Sequence, residues 1–415
     1  MPAFIYQSGE LCCGPIPLGR VAAPTGFGTP LYVYSASAAR ESYRRLAAAF
    51  APLRPMICYA VKANFNLALL RLFQAEGAGF DIVSGGELYR ALRAGADPAT
   101  IVFAGVGKTD LELAEGLRAG LGWFNVESAG ELARLNALAA GLGQRARVAL
   151  RLNPGVVPAT HQHIQTGGTH NKFGMPVAEA LALAQHAAAD FPAVELRGVH
   201  IHIGSQVPDP ASTLAAVEVA LRFVEQVAGI DTLDLGGGFP VAYRDDDQFP
   251  SVEAFAAPIV ERLLPLAGRM RFHLEPGRCL VAAAGALLAT VLTVKDVAGR
   301  RTLVVDAGMH TLLRPALYDA YHRVAPLVLS PGRAPVISDV VGPICESADV
   351  LARDRLLPPL EAGDRLALLD TGAYGFSMAS QYNSQPRPAE VLIDGDDVRL
   401  VRRRETYADL VGLED

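Results

Sequence analysis

Lys62 closes an apolar run, Met56-Ile57-Cys58-Tyr59-Ala60-Val61, and is followed at once by Ala63-Asn64. Such a run reads as a buried strand, so the amine stands where a sheet or barrel opens to a ligand. An ammonium there is unfavourable unless it is paired or gives up its proton. A lysine that gives up its proton is what condensation with an aldehyde requires. A plain surface lysine just past a strand end is the simpler alternative. Three further groups bear on the choice. Gly236-Gly237-Gly238 removes every Cβ from one turn and lets backbone N–H groups approach an anion, phosphate above all. Without a ligand the triplet is only a tight turn. His200 and His202 lie two apart and face one side of a strand, while Val199, Ile201 and Ile203 face the other. They could be core histidines or the start of a metal pair, although no third ligand stands at a telling spacing. The preferred reading stacks His202 on an aromatic cofactor with His200 as support, and assigns no metal. Glu275 ends the apolar Phe272-His273-Leu274 and needs a cationic partner, either Arg278 or a protonated pyridine nitrogen.

The elements that must position these groups are short apolar segments with helical stretches between them. Eight strands are predicted, at 56–61, 80–83, 101–104, 123–126, 147–152, 198–203, 232–235 and 271–274. Two units repeat visibly: Phe80-Asp81-Ile82-Val83-Ser84-Gly85-Gly86-Glu87-Leu88 matches Phe124-Asn125-Val126-Glu127-Ser128-Ala129-Gly130-Glu131-Leu132. In each, the serine and the glutamate three residues later predict a capping box, so a strand runs directly into a helix. Eight such units argue for an α/β fold, a TIM (β/α)8 barrel, over a doubly wound sheet, whose nucleotide fingerprint is absent. Active sites of such barrels gather at the C-terminal strand ends. Lys62, Ser84, His202 with Ser205, the glycine triplet, and Glu275 with Gly277 and Arg278 all fall there. After about residue 285 the pattern changes to strands with few long helices, at 287–294, 302–306, 335–341, 365–369, 390–393 and 398–401. Residues 29–35 join them from the N-terminal side. The expectation is a barrel over 36–285 and a mainly β domain from 1–35 and 286–415. The long connection 153–175 reads as a functional lid.

Composition agrees with a buried globular enzyme. Of 415 residues, 51% are hydrophobic and 19% charged, and the length favours two domains. The net charge of −6, with no basic block, argues against nucleic acid or an anionic membrane as partner. The uncharged stretch Cys279 to Val294 is too short to span a bilayer comfortably, and the N-terminus has no signal-peptide pattern. Five cysteines, at 12, 13, 58, 279 and 345, make no CxxC pair and suggest no disulfide framework, which fits a reducing cytoplasm.

An aldehyde-seeking lysine, a phosphate nest, a stacking histidine and a buried carboxylate together describe a site for pyridoxal 5′-phosphate (PLP). With these residues in view, the chain resembles the diaminopimelate decarboxylase family, PLP enzymes built on an alanine-racemase-like barrel. The resemblance runs through Tyr59-Ala60-Val61-Lys62-Ala63-Asn64, Phe80 to Glu87, Asn171-Lys172-Phe173-Gly174, His202-Ile203-Gly204-Ser205-Gln206, the glycine triplet and Glu275-Pro276-Gly277-Arg278. Its more specific blocks are Asp306-Ala307-Gly308-Met309 with Arg314-Pro315-Ala316-Leu317-Tyr318, then Gly342-Pro343-Ile344-Cys345-Glu346-Ser347, then Gly372 to Ser380 with Tyr382-Asn383-Ser384. Two positions depart from the pattern. Phe239-Pro240 follows the triplet as in ornithine decarboxylases, and Gln381 stands where asparagine is frequent.

The resemblance implies roles. Lys62 would carry PLP, Glu275 would keep its ring nitrogen protonated, and His202 would stack on the ring. Ser205, Gly238, Gly277 and Tyr374 would hold the phosphate. Arg278, Arg314 and Tyr318 would grip the distal carboxylate of the substrate, with Tyr374 beside them. Cys345 would donate a proton to the carbon that loses CO2, and Glu346 would bind the distal ammonium; both would enter from a second subunit of a homodimer. Meso-2,6-diaminopimelate carries a carboxylate and an ammonium at its far end, which calls for arginine and one acid. The implied reaction is its decarboxylation to L-lysine. Alternatives are decarboxylation of ornithine, arginine or a carboxylated polyamine, a racemase, and a non-catalytic regulatory homologue.

Overall fold

The structure is a computed structural model and describes residues 2–156, 172–297, 300–330 and 332–414. They form two compact units: Tyr43–Val241 with Gln248–Cys279, and Met1–Ser42 with Ala242–Asp247 and Leu280–Asp415.

The first unit is a closed parallel barrel of β1 (Met56–Ala60), β2 (Gly79–Ile82), β3 (Ile101–Phe103), β4 (Trp123–Val126), β5 (Ala146–Asn153), β6 (Val194–Ile201), β7 (Thr232–Asp234) and β8 (Arg271–Leu274). Each strand pairs with the next, and β8 returns to β1 through His273 opposite Met56 and Leu274 opposite Ile57. All eight predicted strands are present and the barrel is the fold. Part of its interior is closed by Cys58, Val102, Trp123 and Ala149, one from each of β1, β3, β4 and β5. Helices such as Leu67–Ala75, Gly85–Arg93 and Ala129–Gly141 cover the outside, turning Leu69, Phe73, Leu88, Leu132 and Leu135 inward. Full burial of each large apolar side chain contributes about 1.5–3 kcal/mol.

The repeated serines do cap their helices. Ser84 Oγ accepts from the N–H of Glu87 at 3.2 Å and Ser128 Oγ from that of Glu131 at 3.1 Å, worth about 1 kcal/mol each. The returning arm differs from the predicted box. Glu87 accepts from Val83 N–H at 2.8 Å and Glu131 from Glu127 N–H at 3.2 Å, each one residue before the cap. With φ of −159° and −161° the two serines are extended, which swings their own N–H away; Thr109, at −79°, does complete a box with Glu112. The 153–175 connection and Asn171 of the Asn171–Gly174 motif lie largely outside the described residues. Beyond them Met175–Pro176 pairs with the end of β5.

The second unit is mainly β. Leu31–Ser35 sits between Gly285–Val297, antiparallel, and Ala389–Asp394, parallel. Gly285–Val297 also pairs with Arg300–Val305 and Arg365–Leu368, and Ala389–Asp394 with Asp397–Arg402. Val336–Val341 runs parallel to Arg300–Val305 and antiparallel to Val350–Leu357. Val350–Leu357 is absent from the predicted strands because Arg353, Asp354 and Arg355 interrupt its apolar alternation. Asp354 takes a left-handed φ of 54°, and the pairing shifts register nearby. Three short N-terminal strands, Phe4–Gln7, Glu10–Cys13 and Ile16–Pro17, were also not predicted. No helix among the described residues is long and apolar enough to cross a membrane.

Candidate active site

Lys62 stands in the single turn Val61–Ala63 that ends β1. The N–H of Ala60 donates to Pro276 O at 3.0 Å, tying this turn to the end of β8. The ammonium is paired: Lys62 Nζ donates to Asp81 Oδ2, and the Lys62 side chain remains 37% exposed while that of Asp81 is fully buried. Burial and the charge on Glu275 push the Asp81 carboxyl up to about 7 against the pull of Lys62. Asp81 Oδ1 has no hydrogen-bond partner. Ser84, which follows β2 at this rim, is the helix cap expected of it.

Glu275, at the end of β8, lies 3.2 Å from His200 Nε2 and accepts from Asn125 Nδ2 at 3.1 Å; Asn125 also reaches Asp234 Oδ2 at 3.3 Å. Arg278, the alternative partner from sequence, donates instead to Ser205 Oγ at 3.1 and 3.0 Å. Burial opposes the charge on Glu275, but His200 and the Lys62 ammonium outweigh it and hold the carboxyl below its usual range. Asp234 is pushed well above its range by burial and by that same charge. The negative charge is thus favoured on Glu275 over Asp234. Donor atoms of His200, Asp234 and Glu275 lie within 4.8 Å of one another, close enough for a cation. Asn125 Nδ2 already donates to both carboxylates of that cluster.

His202 is neutral, its pKa driven well down by burial and by the Arg151 and Lys62 charges. Its Nδ1 accepts from Gly237 N–H at 3.1 Å, which puts the ring proton on Nε2, and its ring lies parallel to that of His200 at 6.5 Å. The glycines are needed for close approach rather than for three open N–H groups. A Cβ on Gly236 would stand 2.6 Å from Ile201 O, one on Gly237 2.3 Å from Glu275 O, and one on Gly238 2.7 Å from Gly204 O. Gly236 N–H donates to Asp234 at 2.9 Å. Among the described residues only the N–H of Gly238 in this triplet has no partner. Gln206 braces the segment that follows, bonding Val241 N–H at 2.8 Å and Val241 O at 2.9 Å. Phe239 is buried against Phe50 and Phe255, so the Phe239-Pro240 departure serves packing. At Gly277 a Cβ would meet those of Ala60 and Ala63 at 3.0 and 3.1 Å.

In the second unit Arg314 is buried. It donates to His322 Nε2 at 3.0 Å and lies 4.7 Å over the Tyr243 ring. His322 Nδ1–H donates to Leu369 O at 3.0 Å, so Nε2 is the acceptor from the guanidinium. Tyr318 is half-buried at the end of the helix Arg314–Tyr318. Tyr374 has a left-handed φ of 56° beside Gly372, where a Cβ would stand 1.9 Å from Val281 O. Cys345 and Glu346 are exposed. The N–H of Cys345 donates to Asn383 Oδ1 at 3.1 Å, and the Tyr382 hydroxyl donates to Glu346. Gln381 donates to Glu405 at 2.9 Å.

Residues 37–282 match the family model described as pyridoxal-dependent decarboxylase, pyridoxal binding domain. The chain is 47% identical over 400 residues to diaminopimelate decarboxylase of Neisseria meningitidis serogroup A, covering 95% of this chain and 97% of that one. This chain belongs to the diaminopimelate decarboxylase family. A diaminopimelate decarboxylase from m. jannaschii, solved with L-lysine, superposes with a TM-score of 0.93 at 38% identity over 100% of this chain and 98% of the other. A lysine/ornithine decarboxylase from Vibrio vulnificus, solved with cadaverine, is more distant at 26% identity and TM-score 0.80, covering 91% and 96%.

The cofactor of this pyridoxal-dependent decarboxylase is PLP, and the residues present fit it. An amine and an anionic carboxylate share one barrel mouth, Asp81 Oδ1 is orphaned there, and the glycine cradle admits no Cβ. The family likeness does not by itself reveal Asp81, Asn125 and Asp234. A local signal does: each is a lone polar residue between apolar neighbours, Phe80-Asp81-Ile82, Phe124-Asn125-Val126 and Leu233-Asp234-Leu235, and so must face the barrel interior.

Proposed function

We propose that this chain decarboxylates meso-2,6-diaminopimelate to L-lysine and CO2, the last step of lysine biosynthesis, as a cytoplasmic homodimer. The observation that carries this is the meeting of Lys62, Asp81 and Glu275 at the ends of β1, β2 and β8 in a full-length relative of diaminopimelate decarboxylases.

When bound, PLP supplies a ring that accepts the electron pair released as CO2 leaves. Lys62 supplies the amine that meets the cofactor's aldehyde. Asp81 Oδ2, in contact with Lys62 Nζ, takes up the proton that amine must lose, and a carboxyl near 7 is matched to that exchange. Glu275 holds a proton on the ring nitrogen, its own charge fixed by His200 and Asn125. His202, neutral and flat, stacks on the ring. Ser205, Gly238, Gly277 and Tyr374 hold the phosphate, the free N–H of Gly238 among them. Arg278, Arg314, Tyr318 and Tyr374 orient the far carboxylate of the substrate. Glu346 receives its ammonium. Cys345, through its S–H, delivers the proton to the carbon that CO2 leaves. Cys345 and Glu346 come from the second copy.

A substrate panel with PLP present and CO2 detection tests this. Release of CO2 and L-lysine from diaminopimelate is expected. Turnover of ornithine or arginine with none of diaminopimelate would overturn it.

A further inference from the structure

Cys345 and Glu346 lie on an exposed turn, where side chains are ordinarily free to move. This turn is braced instead. Three successive residues are each held by a different group. Ile344 N–H donates to Asp349 Oδ2 at 2.7 Å, Cys345 N–H to Asn383 Oδ1 at 3.1 Å, and the Glu346 carboxylate accepts from the Tyr382 hydroxyl. The buried Asp349 also takes the N–H of Met309 at 2.6 Å, so the turn is anchored to the Gly308 segment. Neither Gly308 nor Gly342 could carry a Cβ, which would stand 2.8 and 2.4 Å from the Asp349 carboxylate. Within the turn, Glu346 N–H bonds Ile344 O at 2.8 Å and Asp349 N–H bonds Glu346 O at 3.1 Å. Asn383 itself has a left-handed φ of 55°, a conformation asparagine tolerates better than most residues. An exposed turn needs none of this for stability; a turn that must present a thiol and a carboxylate at fixed positions does.

We propose that Tyr382 and Asn383 are positioning residues, acting on Glu346 and Cys345 respectively from the platform that Asp349 anchors. The inference rests on the reading that those two groups serve the decarboxylation of a second copy. Tyr382 fixes the Glu346 rotamer while leaving its other oxygen for an ammonium, and Asn383 fixes the backbone that aims the Cys345 thiol.

Double-mutant cycles on the PLP-loaded enzyme test it. Tyr382→Phe should lower kcat/KM for diaminopimelate about tenfold, chiefly through KM. Asn383→Gly keeps the backbone conformation and should lower kcat about tenfold at unchanged KM, with Asn383→Asp restoring most of it. Added to Glu346→Gln, Tyr382→Phe should cost less than about a further twofold; added to Cys345→Ala, Asn383→Gly likewise. Losses that multiply in these pairs overturn the inference, and the Tyr382 pair decides alone if Asn383→Gly does not fold. Should the wild type release no CO2 from diaminopimelate, the functional reading falls. Amide exchange then decides the bracing: faster exchange at Cys345 in Asn383→Gly upholds it, and unchanged exchange overturns it.

Discussion

At the barrel mouth the reactive groups are governed by burial: Asp81, Asp234 and Glu275 are almost wholly removed from water and set one another's protonation. On the Gly342–Asp349 turn Cys345 and Glu346 stand in solvent and are governed by hydrogen bonds to neighbouring backbone and side chains. The first arrangement tunes charge and needs a closed scaffold. The second tunes position, and can be handed to another molecule because it is on the surface. The same chain therefore builds electrostatics inside and geometry outside.

Substitutions in the two regions should break in different ways. Lys62→Ala should abolish the borohydride-reducible yellow adduct with PLP and reduce CO2 release by a factor on the order of 10^4 or more; retained turnover would remove Lys62 from the chemistry. Cys345→Ala should keep the adduct and its spectrum while turnover falls roughly 10^2–10^4-fold, the usual share of a general acid. A collapsed spectrum would make the thiol structural. Mixing these two inactive variants should restore partial activity as subunits exchange. No recovery in demonstrated mixed dimers would refute a site shared between copies.

Smaller effects separate the two units by pH. His273 in the barrel and His310 in the β unit are both lowered to about 4, by burial above all. Their folded pKa lies below the unfolded value near 6.5, so the unfolded chain takes up protons first on acidification. Their stabilisation is complete above pH 6.5 and is lost as pH falls towards 4, by at most about 3 kcal/mol apiece. Denaturant midpoints should drop over that interval, and His273→Gln should flatten the fall for the barrel alone. Asp81 acts with the opposite sign: its folded pKa is raised, so its contribution is complete below about 4 and is lost as pH rises through 7. Asp81→Asn should remove that loss; an unaltered pH profile would mean Asp81 is charged throughout.

The barrel was legible because its signals are local. Each strand is a bounded apolar run, and strand-to-helix turns repeat with the same serine. Lys62, His202 and Glu275 could be found because each is a polar group at the end of such a run. Their partners were harder to see. Glu275 could be given to Arg278 on spacing, yet chain closure brings His200 from β6 and Asn125 from β4 to it, pairs that depend on three-dimensional register. Val350–Leu357 was missed because a bulge at Asp354 breaks the alternation on which strand prediction relies. Asn383 and Tyr382 stood inside a motif, but nothing in the spacing says that they reach back to Cys345 and Glu346.

Leu31–Ser35 is buried at every residue between two strands that are synthesised far later, Gly285–Val297 and Ala389–Asp394. During translation this ribbon leaves the ribosome with both edges bare; one neighbour follows only at residue 285 and the other only at residue 389. A fragment stopping short of residue 389 would leave one edge of this buried strand unpaired, and is expected to be less soluble than the full chain.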